Sequence, residues 1–303
     1  MKIKSKKLLL IVIPVVLLTL LALIYLIIRG GSLFQLKQQQ NKFSSVKQEY
    51  LAKFDNFVQQ ENFADEQKYY KELTNLLKFE SKNVEIKLTE INNDTKNIFF
   101  IFQSDQHELA DLKNKLVDYS KNLSAITELG IKMEALEESL RTYFEIRQYV
   151  FVASEDKRDY LQDGRKYDYI SLDNLYISYA RRASIQLTSV IETLDKMSTD
   201  NELFNQFLEF VKQNVNRELE IITPMVSMES EYNKKSIDIE NKYGTLSGGI
   251  KFCISATCYE KRNTLKNEYL PGWSAKVEEL VNSITENKQE LKDIIRSWTD
   301  FIN

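Results

Sequence analysis

Every position from Leu8 to Ile28 is uncharged, and in those 21 residues only Pro14, Thr19 and Tyr25 are polar or helix-breaking. At 1.5 Å per residue a helix of that length covers roughly 30 Å, the depth of a bilayer's hydrocarbon core. The core helix of a soluble domain rarely stays apolar on all faces for so long, so the run predicts a transmembrane helix over 8–28. Pro14 falls early in it, where a spanning helix accommodates proline by local adjustment. A cleaved secretory signal is the competing reading, but its apolar core runs about 7–15 residues and closes on a small-x-small site. Ile27-Ile28-Arg29-Gly30 does not fit that site, and no cysteine lies nearby for a lipid anchor. An uncleaved signal-anchor is expected.

Beyond the run, apolar residues recur at steps of three and four, the spacing of amphipathic helices. Leu36, Phe43, Tyr50, Phe54 and Phe57 mark a helix over about 33–61, and a loss of phase puts a turn near Asn62 to Asp65. The longest seam is Leu109, Leu112, Leu116, Tyr119, Leu123, Ile126, Gly130, Met133, Glu137, Leu140, Phe144, Arg147 and Phe151. Its register extends backwards through Phe102, Ile98, Ile91, Leu88 and Leu77 to Tyr70. Register continuity predicts one helix over about 66–153; the polar clusters Asn92-Asn93-Asp94 and Ser104-Asp105 are where two helices would otherwise meet.

Glu137 and Arg147 occupy seam positions that should be apolar. Buried charge is costly unless paired, so each calls for an opposite charge across the bundle or a wet gap. Alternatively the seam drifts after Gly130 onto Leu129, Met133, Leu136, Leu140 and Tyr143, leaving Glu137 on the flank. The pattern alone does not separate these readings.

Three more helices follow: 170–197 with Leu172, Tyr176, Leu187 and Leu194; 200–243 with Leu203, Phe207, Val211 and Val215; and 273–302 with Val277, Leu280, Ile284 and Trp298. Ser198-Thr199-Asp200 supplies capping side chains for the second. Pro224 should kink that helix unless Thr223 ends it. Residues 244–272, with Ser247-Gly248-Gly249, Pro271-Gly272 and both cysteines, read as irregular. The expected fold class is all-α: a basic tail over 1–7, one transmembrane helix over 8–28, and an elongated helical bundle, coiled-coil-like and extracytoplasmic, over 32–303.

Charge sets direction. Lys2, Lys4, Lys6 and Lys7 precede the apolar run and Arg29 follows it, so the positive-inside rule predicts a cytoplasmic N-terminus. The main domain is then expected on the periplasmic or extracellular side of a bacterial inner membrane. Setting those five aside leaves 36 basic against 44 acidic side chains, a net charge near −8. Such a domain is repelled by phosphate backbones, so nucleic acid is not an expected partner. Cys253 and Cys258, the only cysteines, form C-x4-C in what would be an oxidising compartment, and a local disulfide is expected. Closing so short a loop stabilises by roughly 2 kcal/mol, enough to shape a turn.

The chain offers little catalytic chemistry. His107-Glu108-Leu109-Ala110-Asp111 lacks the second histidine of a zinc helix, and Gly244 to Lys251 lacks the Gly-Lys-Ser/Thr ending of a phosphate loop. Two cysteines and one distant histidine do not make four zinc ligands. No catalytic, cofactor or metal residue is assigned, and an enzyme is not expected. The segment 154–170 interleaves Arg158, Tyr160, Asp163, Arg165, Tyr167 and Tyr169, residue types favoured in interface hot spots. The plainer reading is a solvated loop between helices.

The expected function is a membrane-anchored helical scaffold that binds another protein, such as a membrane or envelope complex, or a further copy of itself. The alternative is an extracytoplasmic ligand-sensing bundle. With one span and about seven residues before it, such a sensor is expected to signal through a partner subunit.

Overall fold

The computed structural model describes residues 3–59, 66–98, 100, 103–145, 169–197, 199–247 and 250–303. They are nearly all helical: α1 (Ile3–Gln59), α2 (Glu66–Asn75), a π-helical turn (Leu76–Glu80), α3 (Ser81–Thr95), α4 (Gln103–Ala135), α5 (Tyr169–Leu194), α6 (Glu202–Tyr243) and α7 (Ala256–Ile302). Residues 137–145 are also helical, and a hairpin of β1 (Thr245–Ser247) and β2 (Ile250–Phe252) precedes α7. The chain divides into two compact units. Unit 1 comprises Met1–Gln59, Asn75–Glu128 and Trp298–Asn303, and unit 2 comprises Gln60–Thr74 and Leu129–Ser297.

Unit 1 is built on α1. Its N-terminal part is long and apolar enough to cross a membrane, and twelve apolar side chains from Ile13 to Ile28 are each at least 45% exposed. The helix does not pause there. It continues through Gly30 and Gly31, so the separate helix expected over 33–61 is the second half of one 57-residue helix. From Leu36 onward α1 becomes one-sided, burying Leu36, Tyr50, Phe54, Phe57 and Val58.

α3 runs antiparallel to α1. Lys42 pairs with Asp94 (3.3 Å), Glu49 with Lys87 (3.1 Å) and Lys53 with Glu80 of the π turn (2.6 Å). α4 runs parallel to α1, with Arg29 on Asp105 and Phe43 edge-on to Tyr119. The result is an up-down-up three-helix bundle. Its core holds Leu77, Val84, Leu88 and Ile91 from the descending strand of chain and Leu112, Leu116, Leu123 and Ile126 from α4. Trp298 and Ile302 at the end of α7 are fully buried, and Asn122 Nδ2 donates to the Phe301 carbonyl.

The bundle corrects the expectation of one helix over 66–153. The chain leaves α3 after Thr95, where the Lys96 N–H turns back to the Asn93 and Asp94 carbonyls, and re-enters helix at Gln103. Register misleads here for a physical reason. Two antiparallel helices joined by a short turn both face the core, and three-four spacing carries no direction.

Unit 2 is assembled mainly from α5, α6 and α7. α5 and α6 form an antiparallel pair in which Asp195 meets Lys212 (2.8 Å). The N-cap of α6 is Asn201, whose Oδ1 accepts from the Phe204 N–H (2.9 Å); Thr199 Oγ1 in turn accepts from the Asn201 N–H (3.1 Å). α7 returns antiparallel to α6, with Glu240 on Arg262 (3.3 Å) and Lys235 on Glu268 (3.4 Å). Where they cross, a Cβ at Gly272 would sit 3.0 Å from Met228 Cε.

Both prolines of unit 2 are absorbed. α6 runs through Pro224 and α7 through Pro271. Each lacks the N–H that its helix would donate one turn back, a cost of about 3 kcal/mol. Buried seams continue across both: Ile221, Ile222 and Met225 in α6, and Leu265, Trp273 and Val277 in α7. The irregular segment expected over 244–272 is therefore mostly the hairpin and the first turns of α7. Ser255 starts that helix, its Oγ accepting from the Cys258 N–H (3.2 Å) and donating to the Tyr243 carbonyl (2.9 Å).

Candidate functional site

The most distinctive chemistry among the described residues lies inside unit 2. Three polar side chains occupy seam positions of α6 and α7: Asn214, Glu218 and Asn287, each 1% exposed. Tyr143 donates its hydroxyl to Glu218 Oε1 (2.9 Å), and Asn287 Nδ2 donates to the same oxygen (3.3 Å). Asn287 Oδ1 accepts from Arg217 Nη1 (3.1 Å), and Arg217 reaches outward to Glu290 (3.5 Å). A chain of hydrogen bonds thus runs from a surface guanidinium to a buried carboxyl group and joins three helical segments.

Beside this network is a cavity of about 40 Å³, walled by Tyr69, Tyr70, Tyr143, Phe144, Phe207 and Phe210, with Asn214 and Asn287 also on its lining. Asn214 Oδ1 is buried without a hydrogen-bond partner. The Tyr70 hydroxyl donates to the Met133 carbonyl (2.6 Å), and its burial raises its pKa well above the ordinary value, so it stays a donor. The space suits one or two waters able to donate to Asn214. It is far below the roughly 300–1,000 Å³ of pockets that enclose metabolites. The cluster has an acceptor carboxyl and donors around it, but no nucleophile–base pair. Its evident chemistry is to fix the mutual register of three helices.

The cysteines meet expectation in geometry. Cys253 and Cys258 are joined, their Cα atoms 5.3 Å apart, and Cys258 is fully buried. Around this loop Leu246, Ile254 and Tyr259 are exposed, at 66%, 65% and 49%.

Other sequence-derived candidates separate. Glu137 is exposed, and the buried stripe is Leu129, Met133, Leu136, Leu140 and Tyr143, so the seam drifts and Glu137 sits on its flank. The drift coincides with the end of α4 at Ala135 and a turn at Leu136. Arg147 lies outside the described residues, as do Arg158, Tyr160, Asp163, Arg165 and Tyr167; Tyr169 is the first residue of α5. Lys4, Lys6 and Lys7 fall in the first turns of α1, and Lys2 lies outside the described residues. Arg29 is engaged with Asp105 through Nε (2.7 Å) and Nη2 (2.9 Å). His107 is exposed, and among the described residues no group of three or more His, Cys, Asp and Glu could hold a metal ion.

Sequence reading missed Glu218, Asn214 and Asn287. The signal was present, since the steps 211, 214, 218, 221 and 225 put both α6 residues in the seam, and 284, 287 and 291 do the same in α7. No family model matches the chain, and no curated protein or solved structure matches it either.

Proposed function

We propose that the chain is a single-pass, membrane-anchored helical scaffold whose folded part lies outside the cytoplasm and binds a protein partner. The observation that carries this reading is α1: an apolar stretch in which no described residue is buried runs without a break into the first helix of a packed bundle. The basic residues before the stretch favour a cytoplasmic N-terminus in a bacterial inner membrane. A bonded cysteine pair fits the oxidising side. Exposed apolar side chains around that pair, Leu246, Ile254 and Tyr259, are a surface on which a partner could seat. The enclosed cavity beside Glu218 is too small to hold a metabolite.

A membrane-impermeant maleimide applied to intact cells tests the reading. Labelling of Cys253 and Cys258 is expected only after reduction, and with the protein in the membrane fraction. Labelling that requires permeabilised cells and no reductant would place the domain in the cytoplasm and overturn it.

A further inference from the structure

In unit 1 the bundle begins alongside the apolar stretch of α1 rather than beyond it. Arg29 and Asp105 are 76 residues apart, and so are Phe43 and Tyr119, so α4 holds a constant register against α1. The same offset sets Gln103, where α4 starts, level with Ile27, inside the apolar run. Tyr25, one turn before Arg29, agrees with that placement: it is half-buried while Ile24 and Leu26 beside it are exposed.

The chemistry at this level suits the edge of a bilayer. A carboxylate next to hydrocarbon is costly unless it is paired and hydrogen-bonded. Asp105, 6% exposed, receives two hydrogen bonds from Arg29, the fork-on-carboxylate pairing that best neutralises it. The residues leading into α4 read Ile98-Phe99-Phe100-Ile101-Phe102, five apolar side chains in succession between two helices, where polar residues are the rule. Ile98 and Phe100 are buried in unit 1. Phe99, Ile101 and Phe102 lie outside the described residues. On α1 itself, six residues past Ile28, Phe34 is 71% exposed.

We infer that the start of α4 rests in the interfacial layer of the bilayer that receives α1. The chain would then have a second, non-spanning contact with lipid. The inference rests on membrane anchoring by α1, and the test separates the two.

The full chain, reconstituted in phosphatidylcholine–phosphatidylglycerol vesicles, would carry one nitroxide label at a time, at Leu20→Cys, Gln103→Cys or Lys121→Cys. The native cysteines are bonded to each other and do not compete for label. Accessibility to oxygen and to a water-soluble nickel complex reads depth. The label at 103 is expected closer to the value at 20, in the apolar stretch, than to that at 121, an exposed position on α4. A water-like value at 103 with a lipid-like value at 20 would overturn the lipid contact and leave the anchor standing. Water-like values at both would overturn both, and a nickel-inaccessible, oxygen-inaccessible label at 103 would indicate a protein cover and overturn the lipid contact. Should Gln103→Cys fail to fold, Gln106→Cys, exposed and one turn further on, reads the same surface.

Discussion

The interiors of the two units are built on different terms. In unit 1 the most deeply buried polar side chains, Ser81 and Thr95, bond close to home: Thr95 Oγ1 bonds the Asn92 carbonyl on its own helix, and Ser81 Oγ bonds the Leu77 carbonyl and meets Thr127 Oγ1. Gln39 and Asp105, also buried, pair with Asp94 and Arg29 on neighbouring helices, and the rest of that core is mainly apolar, so it rests chiefly on filled volume. In unit 2 a carboxyl group and two amides stand in the middle of the packing, and Glu218 accepts hydrogen bonds from Tyr143 and Asn287, residues of other segments. Apolar packing tolerates exchange of one shape for another of similar volume. A polar network tolerates it poorly, because each lost partner strands a buried donor or acceptor. The two interiors should therefore fail differently.

The largest effect is expected in unit 1. Leu123, fully buried, should cost about 3 kcal/mol on truncation to alanine through lost burial and the cavity left behind. Amide exchange should show the loss in α4. In unit 2, Glu218→Ala should cost about 2–3 kcal/mol by leaving Tyr143 and Asn287 without their shared acceptor. The sharper measurement is a rescue: Glu218→Leu with Tyr143→Phe should recover stability that either change alone loses. If Glu218→Ala behaved like a surface substitution, the contrast between the interiors would collapse. Replacing Cys253 and Cys258 by serine should cost about 2 kcal/mol at most, with loosened exchange confined to unit 2.

The smallest effect concerns acid. In unit 1 the hydrogen bond from Lys53 holds Glu80 below the usual carboxylate range, whereas in unit 2 burial raises Glu229 above it, only partly offset by Arg181. The signs oppose. Glu80 contributes stability present above its unfolded pKa and lost as pH falls through its folded value; protonating Glu229 as pH falls through its raised value removes a penalty. The Glu80 pair is well exposed, so its share is a few tenths of a kcal/mol. Carboxyl-carbon NMR titration should find Glu229 midway at higher pH than Glu80, and the reverse order would refute the assignment.

Much of unit 1 was readable in advance because its core follows one rule. The seam positions Leu112, Leu116, Tyr119, Leu123 and Ile126 are all buried, and the apolar run is one face-independent helix. The break between α3 and α4 was hidden because apolar residues continue through the turn. Unit 2 was harder for the opposite reason: residues that look wrong locally are right in three dimensions. Pro271-Gly272 reads as a helix boundary, yet α7 passes through it because Leu265, Trp273 and Val277 bury on a common face and Gly272 lets Met228 close. Glu218 and Asn287 read as surface residues until each supplies the other's partner.

The unbroken run of α1 also acts as an angular key. A helix advances about 100° per residue. With no pause between the apolar stretch and Leu36, the compass heading of every bundle face is set by that of the stretch. One residue inserted at Gly30-Gly31, where an added Cβ would meet nothing within 4 Å, would swing the bundle by about 100° and part Arg29 from Asp105. Seven inserted residues would lift it about 10 Å yet restore its heading to within about 20°. A partner that reads direction would notice the first change, and one that reads only height would notice the second.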